Sequence, residues 1–99
     1  MNEISVWKYP FETTDRFVLA MPAGAKPLCV QVQNGQPCLW AMVDPELPRV
    51  ERHFAVSGTG HPFRVDGFEY VGTYQLLDGR FVGHLWAGPW EKESQDEQS

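Results

Sequence analysis

The sequence predicts an all-β protein: a single small antiparallel β-sandwich or barrel of six to seven strands, with two tight hairpins. Three observations carry that prediction. No apolar pattern of helical period runs for a useful length anywhere in the 99 residues. Short alternating segments are instead divided by Gly, Pro, Asn and Asp about every ten positions. Two of those divisions, Asn34-Gly35 and Asp78-Gly79, are two-residue turn signals flanked by alternating runs.

Ile4 to Tyr9 alternates and is stopped by Pro10, which marks a first strand at a sheet edge. Phe11 to Asp15 is turn-like. Arg16 to Met21 is a second strand, with Phe17, Leu19 and Met21 on one face. Pro22 to Pro27 is a loop by its Pro and Gly content. Leu28 to Val43 then forms a hairpin. Asn and Gly tolerate the positive φ of a type I′ turn, and the turn sets the register. Gln33 therefore faces Gln36, Val32 faces Pro37, Gln31 faces Cys38, Val30 faces Leu39 and Cys29 faces Trp40. Leu28, Val30, Val32, Leu39 and Ala41 make an apolar, core-facing side; Cys29, Gln31, Gln33, Gln36, Cys38, Trp40 and Met42 make the other.

Asp44 to Pro48 breaks the chain, because two prolines this close do not fit a ladder. Val50 to Val56 reads as a strand with Val50, Phe54 and Val56 inward and a wet face of Glu51, His53 and Ala55. Ser57 to Pro62 is a Gly-rich connection, and Phe63 to Gly67 is a short strand or an extended loop. The second hairpin pairs Glu69–Leu77 with Arg80–Trp86 across Asp78-Gly79. It sets Leu76 opposite Phe81, Thr73 opposite His84, and Tyr74 as a ring covering Gly83. Gly88-Pro89-Trp90 closes the domain, so residues 1–90 form one β domain. Residues 91–99, without an apolar side chain, read as a disordered acidic tail.

The composition is that of a soluble globular protein, 42% hydrophobic and 13% aromatic. A net charge of −5 argues against a binder of long nucleic acid, which would show a basic face; a small nucleotide needs only two or three placed cations or amides. No apolar run reaches membrane-spanning length and the first ten residues lack a signal-peptide pattern, so a cytoplasmic protein with no membrane partner is expected. Cys29 and Cys38 are diagonal neighbours on the hairpin, and a reducing cytoplasm favours two free thiols.

The three histidines, His53, His61 and His84, lie on separate elements without metal-ligand spacing, and the C-x8-C spacing matches no zinc module, so neither metal nor cofactor is expected. Cys38 has no helix N-terminus to activate it, and Ser57 to His61 lacks the strand-turn-helix setting of a nucleophile elbow. The carboxylates form no glycosidase pair. A non-enzymatic protein is the expectation. Two features suggest a ligand. Gly58-Thr59-Gly60-His61 exposes successive amides that can receive an anion, with His61 or Arg64 adding charge. Gln31, Gln33 and Trp40 share a face on which an aromatic ring and amides can hold a base. Four tryptophans are many for a core this small, which leaves one or two for an interface or pocket.

At W-K-Y-P (Trp7 to Pro10), V-Q-V-Q-N-G-Q-P-C-L-W (Val30 to Trp40) and G-T-G-H-P (Gly58 to Pro62), the chain resembles a family of small proteins encoded by bacteriophages and prophages. The resemblance runs from Val6 to about Trp86 and brings no catalytic assignment with it. It implies a small accessory protein made in an infected bacterium, where such proteins often counter host defence by binding. The expected function is a homo-oligomeric, non-enzymatic protein that sequesters a nucleotide-derived immune signal. Its expected ligand-binding residues are Gln31, Gln33, Trp40, Thr59, Gly60, His61 and Arg64. Two alternatives stand beside it: a protein-interaction or virion-associated module that inhibits a host protein, and a small hydrolase using His61 or His84 as base.

Overall fold

The computed structural model describes residues 3–91. They form seven strands: β1 (Ser5–Pro10), β2 (Arg16–Pro22), β3 (Lys26–Gln33), β4 (Gln36–Val43), β5 (Arg49–Gly58), β6 (Glu69–Leu76) and β7 (Phe81–Trp90). Every pairing is antiparallel, giving a three-stranded sheet β1-β4-β3 and a four-stranded sheet β2-β5-β7-β6. The two sheets stack as a sandwich, with Met21, Leu39, Phe54 and Leu85 fully enclosed between them. The edge strands β3 and β6 also pack against each other, closely enough that a Cβ on Gly72 would lie 3.0 Å from Val30 Cγ1. No helix among the described residues is long and apolar enough to cross a membrane.

Both expected registers are present. Gln33 faces Gln36 and Val30 faces Leu39 across Asn34 and Gly35, whose φ values of 52° and 78° are those a type I′ turn needs. Thr73 faces His84, and Tyr74 covers Gly83 so tightly that an added Cβ would sit 2.8 Å from Tyr74 Cζ. The Tyr74 hydroxyl is held at 2.8 Å from Thr13 Oγ1. Burial pushes the Tyr74 phenol above its ordinary pKa, and the bond to Thr13 partly offsets that.

Five expectations need correction. Leu28 is not core: a bulge between Pro27 and Cys29 makes it the extra residue of β3 and leaves it 46% exposed. Val32 is also exposed, one pair from the hairpin tip. Leu77 is not in a strand. Leu77, Asp78 and Gly79 all have positive φ (57°, 54° and 86°), and the loop comprises residues 77–80 instead of two. Gly79 donates its N–H to the Leu76 carbonyl and Arg80 to that of Leu77, so two left-handed turns overlap. For a leucine that conformation costs roughly 1–2 kcal/mol. Finally, Ala55 is fully buried on a face expected to be wet, and β7 runs on through Pro89 to Trp90.

Arg52 shows how the last stretch of β7 is fastened. It is buried, donates from Nε to the Gly88 carbonyl at 2.8 Å and from Nη1 to the Ala25 carbonyl at 3.4 Å, and lies over the Trp90 ring. Burial lowers the pKa of its guanidinium, opposed by Glu69. Glu91, assigned by sequence to the tail, donates its N–H to the Glu51 carbonyl and meets His53 Nε2 at 2.6 Å. The remainder of the acidic tail, residues 92–99, lies outside the described residues.

Candidate functional site

The best-built polar site lies on the outer face of the four-stranded sheet. Along β7, Leu85 and Ala87 point inward, which sends His84 and Trp86 outward. Ser57 on β5 and Thr73 on β6 face His84 across the ladder. Tyr70 would ordinarily point the other way from Thr73, three residues on. A bulge between Tyr70 and Gly72 absorbs the extra residue, Val71, and returns Tyr70 to the outer face opposite Trp86.

His84 is the centre of the resulting network. Its Nε2 lies 2.7 Å from Thr59 Oγ1, and its Nδ1 lies 3.0 Å from both Tyr70 Oη and Thr73 Oγ1. Tyr70 and Thr73 also bond to each other. A neutral imidazole has one donor and one acceptor nitrogen, and hydroxyls on both sides rotate to match either tautomer. The ring is therefore fixed in place.

Beside the network, the connection from β5 to β6 folds over the sheet. Phe63 stacks on Trp86 (centroids 4.7 Å apart), Phe68 meets Phe63 edge-on, and the Arg16 guanidinium lies 5.7 Å from the first ring and 5.0 Å from the second. Trp86 Nε1 donates to Ser57 Oγ at 3.0 Å, and Tyr70 meets the Trp86 ring edge-on. This cover is what buries Ala55, the residue that pairs with both Arg16 and Trp86.

Where the cover leaves β5 there is a cavity of about 340 Å³, bounded by Asp15, Arg16, Ser57, Gly58, His61 and Phe63. A second hollow of about 230 Å³ shares Asp15, Val56, Gly58 and His61 with it and reaches Thr13 and Phe81. The turn at Gly58–His61 is closed by the His61 N–H donating to the Gly58 carbonyl at 3.1 Å, with Gly60 at φ 85°. The His61 amide is therefore spent on the turn.

Of the residues singled out by sequence, Thr59, Gly60 and His61 lie at this site. Arg64 points elsewhere, exposed, with Asp66 at 3.8 Å; the cation on the cavity wall is Arg16. Gln31, Gln33 and Trp40 lie on the outer face of the other sheet, with the core between. There Lys8 reaches over β4, its Nζ 5.8 Å from the Trp40 ring centroid, and donates to Gln33 Oε1 at 2.6 Å. Cys38 is buried and Cys29 half-buried, both as free thiols. One chain thus does not bring Trp40 and the Gly58–His61 turn to one ligand. Arg16, Tyr70 and Thr73 were not singled out by sequence as site residues, and Ser57 and Trp86 were weighed without being chosen as ligand residues. His84 was named only as the base of the hydrolase alternative, although the second hairpin's register already set Thr73 opposite His84. Among the described residues, no group of three or more His, Cys, Asp or Glu is placed to hold a metal ion.

Fold and site together define a small antiparallel β-sandwich with an aromatic, hydroxyl-lined face on its larger sheet. The chain matches the family described as a domain of unknown function (DUF7352) over residues 2–96, and it belongs to that family. No curated protein and no solved structure matches it.

Proposed function

We propose that this is a non-enzymatic binding protein for a small nucleotide-derived molecule, held on the outer face of the four-stranded sheet. The observation that carries the reading is the single-face convergence of exposed Tyr70, the hydroxyl-ringed His84 and the Arg16–His61 cavity. In this reading Tyr70, 51% exposed, offers its ring to a base. Thr59, Thr73 and His84 exchange hydrogen bonds with base or sugar edges, and Arg16 with His61 receives phosphate. Both nitrogens of His84 meet hydroxyls instead of a carboxylate that would stabilise an imidazolium, which suits recognition better than general-base turnover. As a phage-encoded accessory protein, the chain would act by sequestering a host immune signal inside the infected cell.

A thermal-shift screen of the intact chain against linear and cyclic nucleotides tests this. A ligand present at a hundredfold its Kd stabilises the fold by about 2.7 kcal/mol. The response should vanish in Tyr70→Ala and Arg16→Gln and persist in Gln31→Ala. A flat response across the panel removes the reading. Consumption of an added nucleotide, lost in His84→Ala, would transfer the assignment to a hydrolase.

A second reading, inhibition of a host protein, draws on the free edge of the three-stranded sheet, where Ile4 and Val6 are 59% and 58% exposed. Co-purification of one stoichiometric protein, with no small molecule released on denaturation, would favour it.

A further inference from the structure

The tips of the two hairpins lie side by side and border a groove of about 580 Å³, walled by the aliphatic Val32, Leu76 and Leu77, the polar Gln75 and Asp78, and the turn glycines. At its rim Leu77 is 70% exposed, the most exposed of the large apolar side chains identified, and its backbone is left-handed at φ 57°. A β-hairpin tip ordinarily places Gly or Asn at such a position. Here a leucine is held there and turned out to solvent. Asp78 and Arg80 stand on either side of Gly79, opposite in sign, and neither forms an ion pair among the described residues.

We propose that two copies of this chain associate through the hairpin tips about a two-fold axis near Gly79, each inserting Leu77 into the groove of the other. An interface of this symmetry must be self-complementary, each patch carrying both halves of every contact. This patch does. An apolar knob, Leu77, stands at the rim of the hollow that it walls together with Val32 and Leu76. A negative and a positive side chain flank the proposed axis, so Asp78 of one copy meets Arg80 of the other, and Arg80 meets Asp78 in return. That charge complementarity selects a second copy over a different protein, which would have to supply an opposite pattern of its own. The inference is independent of the nucleotide reading, since the tips and the Tyr70–His84 face share no residue.

Sedimentation equilibrium on the full chain, from micromolar to millimolar, tests it together with melting temperature. The wild-type chain should reach a dimer mass. Leu77→Gly relieves the left-handed leucine and removes the knob, so at low concentration it should melt no lower than wild type, while its dimer dissociation constant rises at least about tenfold. A leucine with only a local role would give the same gain in melting temperature and unchanged association. Asp78→Arg and Arg80→Asp should each weaken the dimer, by about tenfold, and the combined exchange should restore it to within about threefold of wild type. A wild-type chain that stays monomeric at millimolar concentration overturns the proposal. So does association unaffected by Leu77→Gly, or failure of the double exchange to recover.

Discussion

Trp40 and Trp86 occupy comparable places, each half-buried on the outer face of its own sheet, yet their surroundings differ in kind. Trp40 lies beneath the Lys8 side chain, and its Nε1 is buried without a hydrogen-bond partner. Trp86 lies beneath Phe63, meets Tyr70 edge-on and donates to Ser57. The contrast extends inward. Tyr9, on the three-stranded sheet, has a buried hydroxyl without a partner, whereas Tyr74, on the four-stranded sheet, is bonded to Thr13. Among the described residues, both orphaned side-chain atoms belong to the smaller sheet. The larger sheet has its polar groups arranged in pairs and networks, which hold its outer surface in one conformation.

The contrast breaks most forcefully at Gly88. A Cβ there would come within 2.5 Å of Phe68 Cε2, so Gly88→Ala should lift the covering segment away from the sheet. Overpacking of this kind costs about 1–3 kcal/mol. Chemical denaturation should show that loss, and any nucleotide response should fall with it. An alanine that leaves both unchanged would show that the cover does not organise the site.

A smaller and sharper comparison replaces each tryptophan by phenylalanine. Trp86→Phe strands Ser57 and forfeits a hydrogen bond worth about 0.5–1.5 kcal/mol. Trp40→Phe removes an N–H that has nothing to donate to, and should leave stability unchanged or higher. The urea midpoint should therefore fall for Trp86→Phe and hold or rise for Trp40→Phe. If both fell equally, the orphaned Nε1 would have no energetic meaning.

The reason the sequence pointed to Trp40 and not Trp86 is physical. Alternation assigns a residue to a face, and the Asn34-Gly35 turn fixed that assignment across β3 and β4. Six to seven strands, both registers and the Tyr74–Gly83 contact were all legible on this basis, and the structure has seven. Alternation fails at a bulge, where one extra residue reverses the parity. Leu28 left the core for that reason, and Tyr70 joined Thr73 and His84 for the same reason. Nor does alternation show what lies over a face. Phe63 and Phe68 are separated from Trp86 by a turn and a whole strand, and only the folded chain brings them together. Arg16 was overlooked likewise, because its partners are rings in that distant segment.

The gentlest test of the contrast uses the two buried phenols and alkaline pH. Burial raises both above the ordinary value of 10.0; the Arg49 charge opposes this for Tyr9, and the Thr13 bond does so for Tyr74. A raised folded-state pKa means the native protein holds its phenolic proton more firmly than the unfolded chain. The associated stability is complete below pH 10 and is lost as the pH climbs from there through the folded value. Melting temperature should accordingly be indifferent to these groups near neutrality and fall above pH 10. Tyr9→Phe removes a hydroxyl with no partner, so it should lessen the alkaline loss at no cost at pH 7. Tyr74→Phe should lessen the alkaline loss too, but at pH 7 it gives up the Thr13 bond, about 1 kcal/mol. Equal behaviour of the two variants at pH 7 would mean that the smaller sheet tolerates its orphaned hydroxyl as well as the larger sheet uses its paired one.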